Sequence, residues 1–180
     1  EVLDELMATY DEQFTALVDD ARAGQTSQDD FEDELAAIVA AMLLAAFLRG
    51  SRLSEDELTG AIQERFGDVV KVNLDAVSGF ADDIYEGRYS AEELGEEGAG
   101  YRIGLWVNSL AGIYALGQAH RQDNPSYRWG VGPTEHCGDC AGFSGRVKTA
   151  EEWLSGGYLP RGGNLQCGGF RCACSLVEVG

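Results

Sequence analysis

The first 122 residues contain no cysteine and no proline, although the whole chain of 180 residues has five cysteines and three prolines. The whole chain has only two histidines. It has neither a convincing Ser/His/Asp arrangement nor a phosphate-binding P-loop, so we do not expect an enzyme.

We also find no secretory signal. The longest apolar run, Leu35 to Leu48, has 14 residues. Because a membrane span needs roughly 20, this run predicts a buried core helix, and no membrane partner is expected.

Positive charge is also scarce in this region. Residues 1–122 carry 8 Lys and Arg against 25 Asp and Glu, a net charge of −17 out of −18 for the chain. Such a surface repels phosphate backbones, so we do not expect this region to bind DNA directly. The charge serves either solubility or attraction to a basic partner surface.

The pattern of apolar residues predicts that residues 1–122 form an acidic helical region. Apolar residues spaced three and four apart begin at Leu3, and the same pattern recurs after Ser27. Ser27 is placed to cap a second helix that ends near Gly50. Shorter helices follow around residues 58–66 and 70–84, and a long one runs from residue 101 to about 120. Three glycines inside the long helix, each costing about 1 kcal/mol relative to alanine, predict close packing against a neighbouring helix. They are Gly104, Gly112 and Gly117.

The composition changes after residue 122. The last 58 residues hold every proline and cysteine and 12 of the 24 glycines. Short strands are predicted at Tyr127–Trp129 and at residues 175–179, with a brief helix in residues 149–157. We therefore predict a mainly α chain in two parts. A helical region, 1–122, is followed by a small cysteine-rich α+β unit, 123–180.

The cysteines lie in two short stretches and admit three interpretations. They are Cys137, Cys140, Cys167, Cys172 and Cys174. A redox CxxC normally occurs in a βαβ setting, which this sequence does not indicate. Disulfides need an oxidising compartment and would leave one thiol over, although a particle that oxidises after release remains an open alternative. A structural zinc ion is the interpretation that the spacing favours most.

A zinc site would draw on both stretches. The CxxC turn places two thiolates on one side of a metal, and Gly168 with Gly169 lets the backbone fold tightly behind Cys167. If Cys172 and Cys174 lie on a strand, they share a face, and either could complete the tetrahedron. His136 is a further candidate. A closed four-thiolate site is structural, and it would stabilise a unit that has little core of its own.

The order of motifs resembles that of the MuF-like family of phage minor head, or head morphogenesis, proteins. The resemblance covers about residues 101–178, including the small-residue-rich helix that precedes the first strand. Two departures concern metal binding: Cys167-Gly168 stands where the family often has His-Pro, and Ala173 replaces the usual Arg between the last two cysteines. The matching residues are Tyr127-Arg128-Trp129, Glu135, Cys137 with Cys140, Phe143-Ser144-Gly145, Leu159-Pro160 and Cys172-Ala173-Cys174.

The resemblance implies a non-enzymatic virion component. Such a protein associates in few copies with the portal protein and the major capsid protein, in the head interior or near the portal. It assists head assembly or genome delivery, and it passes through the host cytoplasm during assembly.

A different class of function is a zinc-stabilised nucleic-acid-binding module. Residues 123–180 carry five basic residues, and Trp129, Tyr158 and Phe170 are aromatic side chains that could stack on bases. The net charge of this segment is about zero, however, so the basic footprint typical of such modules is absent.

Overall fold

The computed structural model describes residues 2–88, 99–132, 136–162, 164–168 and 173–179. The protein is mainly helical, as predicted, and it has a three-stranded sheet near the C-terminus, two strands of which were predicted. The helices are α1 (Val2–Arg22), α2 (Gln28–Ser51), α3 (Gly60–Leu74), α4 (Val77–Tyr85), α5 (Ala99–Ala119), α6 (Gly138–Phe143) and α7 (Ala150–Ser155). The strands are β1 (Ser126–Gly130), β2 (Val147–Thr149) and β3 (Ser175–Val179).

Several boundaries differ from the prediction. Ser54 and Glu57 form a hydrogen-bonded pair, with the Ser54 backbone N–H donating to the Glu57 carboxylate at 2.8 Å. This pair opens a 3₁₀ turn, Glu55–Glu57, and α3 begins only at Gly60. Helix α3 then runs past the expected break and ends at Leu74. The sequence did not predict α6 or β2, because each has too few residues to show a period.

The described chain forms two compact units. The first unit contains residues 1–44 and 58–107, and the second unit contains residues 45–57 and 108–180. Helices α2 and α5 each contribute residues to both units. These units do not follow the predicted division at residue 122, which stays a prediction about separately folding domains.

Aromatic side chains form much of the core of the first unit. Phe14 from α1 stacks on Trp106 from α5 with ring centroids 5.9 Å apart, and Phe80 from α4 meets the same indole edge-on at 5.2 Å. Phe31 from α2 lies 6.3 Å from the Phe80 ring. Four helices are thus joined through one aromatic cluster.

Within the described residues, no helix combines the length and the apolar character that crossing a membrane requires.

The sheet of the second unit has the strand order β2-β1-β3, and both neighbouring pairs are antiparallel. Tyr127 and Trp129 of β1 point inward and are buried, whereas Arg128 between them is exposed. Trp153 from α7 packs on this inner face, and its indole N–H donates to the Tyr127 carbonyl at 3.0 Å. Pairing with β3 places Leu176 opposite Trp129, so β3 adds to the same core.

Glycines allow the ends of α2 and α5 to approach within the second unit. A Cβ added to Gly117 would lie 2.3 Å from the Phe47 carbonyl oxygen, and one added to Gly50 would lie 2.1 Å from the Tyr114 carbonyl oxygen. The predicted close packing is therefore present at Gly117. At Gly112 the neighbour is Arg161, outside any helix, whereas a Cβ added to Gly104 would meet no described residue within 4 Å.

A buried guanidinium ties the end of α5 to the sheet. The Arg121 side chain is 4% exposed and donates to the carboxylates of Asp123 and Glu178 and to the Tyr127 hydroxyl. The hydrogen bond to Asp123 contributes most to raising the pKa of Arg121, with further contributions from Glu178 and Tyr127, while burial opposes them. Arg52, which is 64% exposed, also contacts Glu178, at 3.2 Å.

We expect Arg121→Met to destabilise the second unit by about 2 kcal/mol. It keeps an apolar stem but leaves the Tyr127 hydroxyl and two carboxylates without their shared donor. The carboxylates are 62% and 40% exposed, so water offsets part of the loss. Arg52→Met removes an exposed contact to the same Glu178 and should cost roughly 0.5 kcal/mol or less. Urea denaturation midpoints measure both. Equal losses in the two variants would contradict this prediction.

Candidate metal centre

The CxxC motif forms the start of α6. Cys137 is the N-cap residue, with an extended backbone (φ −67°, ψ 164°), and Cys140 lies in the first turn. Because residues three apart share a helix face, both thiols are directed to one side. Cys140 is 1% exposed and belongs to the buried core cluster that includes Trp129 and Trp153.

The turn that carries Cys167 is bound to α6 by two hydrogen bonds. The Gln166 backbone N–H donates to the Asp139 carboxylate at 2.7 Å, and the Gly138 backbone N–H donates to the Gln166 side-chain carbonyl at 2.9 Å. Gly168 then takes a positive φ of 61°, a conformation that glycine adopts without strain. The expected tight turn behind Cys167 is therefore present at Gly168, while Gly169 lies outside the described residues.

These two segments bring three sulfurs together. The Sγ atoms of Cys137, Cys140 and Cys167 all lie within 4.8 Å of one another. The backbone N–H of Cys140, followed by the side chain of that residue and by Cys167, lowers the pKa of the Cys137 thiol to about 7. Thiolates are the form that binds metal, so this environment favours the ligand state of Cys137. The three cysteines can hold a metal ion.

The donor set fits zinc. Four ligands around zinc with Zn–S bonds of about 2.3 Å place neighbouring sulfurs about 3.8 Å apart. Sulfurs that already lie within 4.8 Å of one another need to move by roughly 1 Å or less to reach that separation. No disulfide joins the four cysteines that the structure describes.

The remaining predicted cysteines are placed differently. Cys174 is buried, 2% exposed, and is not a member of the three-sulfur group. Its Sγ lies 4.0 Å from His136 Nδ1, and His136 Nε2 is 2.9 Å from the Gly132 carbonyl oxygen. Cys172 lies outside the described residues, as do Glu135 and Phe170. Whether all five cysteines bind metal stays a prediction.

The structure can be compared with what a redox site and a nucleic-acid-binding site each require. The CxxC does open a helix, as redox motifs do. That helix has six residues, and the described sheet pairs are antiparallel, unlike a βαβ unit.

For nucleic-acid binding, Trp129 is 1% exposed and cannot stack on a base, whereas Tyr158 is 39% exposed.

Sequence reasoning missed the residues that position the third thiol. Asp139 and Gln166 bind the Cys167 turn to α6, although neither is a metal ligand candidate. Their signal in the sequence is weak, because a polar residue inside a CxxC motif is ordinary. Only the approach of two segments 27 residues apart shows their role.

No family model, curated protein or solved structure matches this chain.

Proposed function

We propose that this protein is a minor head protein of a tailed phage whose C-terminal unit is stabilised by a structural zinc ion. The observation that carries the zinc site of this proposal is the convergence of Cys137, Cys140 and Cys167 from two separate segments of the chain. An ion at this point connects α6 to the turn at residues 164–168, both of which contact the core built on Trp129 and Trp153.

The role of the ion is structural and the protein is not an enzyme. Cys140 is buried, and Cys137 and Cys167 pack against the same hydrophobic cluster. A thiolate site closed by a fourth cysteine has no open position for water or substrate, which is the arrangement of structural zinc sites. Its effect is to stabilise the unit built on the three-stranded sheet by linking α6 to the Cys167 turn.

The virion role rests on the order of motifs in residues 101–178. The strand with Trp129, the CxxC motif, Gly145 and the terminal CxC stretch follow one another as in MuF-like head proteins. Gly145 has a function in this order: its N–H donates to the Trp129 carbonyl at 3.0 Å, and its φ is 75°. The partners are the portal protein and the major capsid protein, and the protein is present in few copies inside the head or near the portal.

Purified particles provide the test. Particles from the natural host of the phage should contain this chain in low copy number, and cross-linking followed by mass spectrometry should join it to the portal protein. Absence of the chain from particles, together with cross-links only to host enzymes in infected cells, would contradict the proposed role. The major capsid protein in the same sample serves as the abundance standard.

A further inference from the structure

The three-sulfur group leaves the fourth zinc ligand to be identified, and the contact between Cys174 and His136 bears on it. His136 directly precedes Cys137, so the Cα atoms of these two residues are about 3.8 Å apart. Cys174 Sγ lies 4.0 Å from His136 Nδ1. Cys174 also belongs to the buried cluster that contains Cys140 and against which Cys137 and Cys167 pack, although its sulfur is not within 4.8 Å of all three.

The sheet positions Cys174. Strand β3 begins at Ser175, which pairs with Gly130, and side chains alternate along it. Ser175 is exposed, whereas Cys174 and Leu176 are buried, so Cys174 points to the inner side of the sheet. The backbone before it is also held closely, because a Cβ on Gly132 would lie 2.7 Å from the Ala173 carbonyl oxygen.

His136 is the competing donor in the described structure. Its Nε2 is 2.9 Å from the Gly132 carbonyl oxygen. A carbonyl can only accept, so Nε2 donates to it, and the other ring nitrogen, Nδ1, faces Cys174. Two observations favour the sulfur. Cys174 belongs to the same buried cluster as Cys140, and thiolates are the donors that the other three positions use.

We propose that Cys174 is the fourth zinc ligand, giving a closed four-thiolate site of Cys137, Cys140, Cys167 and Cys174. This inference rests on the proposed metal site and identifies its last ligand. In this site Cys174 Sγ binds the ion in place of its contact with His136 Nδ1. The final strand is thereby linked to α6 and to the Cys167 turn through one ion.

Cobalt(II) substitution of the 180-residue chain tests the assignment. Thiolate-to-cobalt charge-transfer absorption grows with the number of bound thiolates, and d–d bands report tetrahedral geometry. We expect Cys174→Ser to lose about one quarter of the charge-transfer intensity and to bind zinc more weakly. Cys172→Ser, the matched control, should keep the wild-type spectrum. His136→Ala should keep its charge-transfer intensity as well.

Two other results would overturn the assignment of Cys174, and a third would contradict the metal site itself. Loss of intensity in Cys172→Ser with no change in Cys174→Ser overturns the assignment. A wild-type spectrum of three thiolates that changes in His136→Ala also overturns it, in favour of an imidazole ligand. A wild-type chain that binds neither Co²⁺ nor Zn²⁺ contradicts the proposed metal site itself.

A measurement on the wild-type protein covers the case in which Cys174→Ser does not fold. Zinc-loaded protein is treated with iodoacetamide, and modified cysteines are mapped while a chromogenic chelator records zinc release. We expect modification of Cys172 without release of zinc. Release of one zinc per modified Cys172 would overturn the assignment.

Discussion

Cys137→Ser is expected to abolish high-affinity zinc binding and to remove the protease resistance of residues 123–180. Structural zinc in small peptides contributes about 10–16 kcal/mol of apparent binding free energy, which is comparable to the whole stability of a typical domain. Cys137 is only partly buried, so serine leaves little cavity and the loss is due to the missing ligand. The helical circular dichroism signal should remain mostly intact, because most of it comes from α1–α5.

The comparison for this variant is wild-type protein treated with a chelator. Both samples should show the same protease cleavage sites within residues 123–180, and addition of zinc should restore resistance only in the wild type. Elemental analysis of the untreated wild type should give one zinc per chain. Unchanged resistance of this segment in Cys137→Ser would exclude a stabilising role for the metal site.

Gly117→Ala is expected to destabilise the second unit by about 3 kcal/mol or more. Alanine is intrinsically better than glycine inside a helix by about 1 kcal/mol. At this position the new methyl group would lie 2.3 Å from the Phe47 carbonyl oxygen and 2.8 Å from the Ser51 backbone nitrogen. Backbone atoms cannot rotate away as a side chain does, so the ends of α2 and α5 must separate.

Gly104→Ala is the matched control, because it lies in the same helix and its Cβ would meet none of the described residues within 4 Å. It should be neutral or stabilising by up to about 1 kcal/mol. Thermal and urea denaturation of the two variants give the comparison. A Gly117→Ala protein as stable as Gly104→Ala would show that α2 and α5 are not in close contact at this point.

The helices that sequence reasoning predicted are those with a repeated signal. Helix α1 shows apolar residues at spacings of three and four, and the second helix is capped by Ser27, whose Oγ accepts from the Asp30 backbone N–H at 3.2 Å. Helix α6 has only six residues, which are too few for a period. The break predicted between residues 66 and 70 is also wrong, because α3 continues to Leu74 and the break falls at residues 75–76.

The candidate site shows the same limit. The CxxC spacing was sufficient to place Cys137 and Cys140 together, since both lie on one turn of chain. Spacing did not determine which of Cys167, Cys172 and Cys174 would join them. Cys167 joins them through the hydrogen bonds that Gln166 makes with α6, whereas strand pairing of β3 places Cys174 beside His136.

The sequence by itself determined the mainly helical character, the acidity of residues 1–122 and the concentration of thiols near the C-terminus. These properties depend on composition and on patterns within a few turns of chain. Only the tertiary structure decided which thiols meet, that Gly117 is required where α2 approaches α5, and that Arg121 joins α5 to the sheet. Each depends on contacts between segments tens of residues apart, and local sequence patterns do not encode the distances across such contacts.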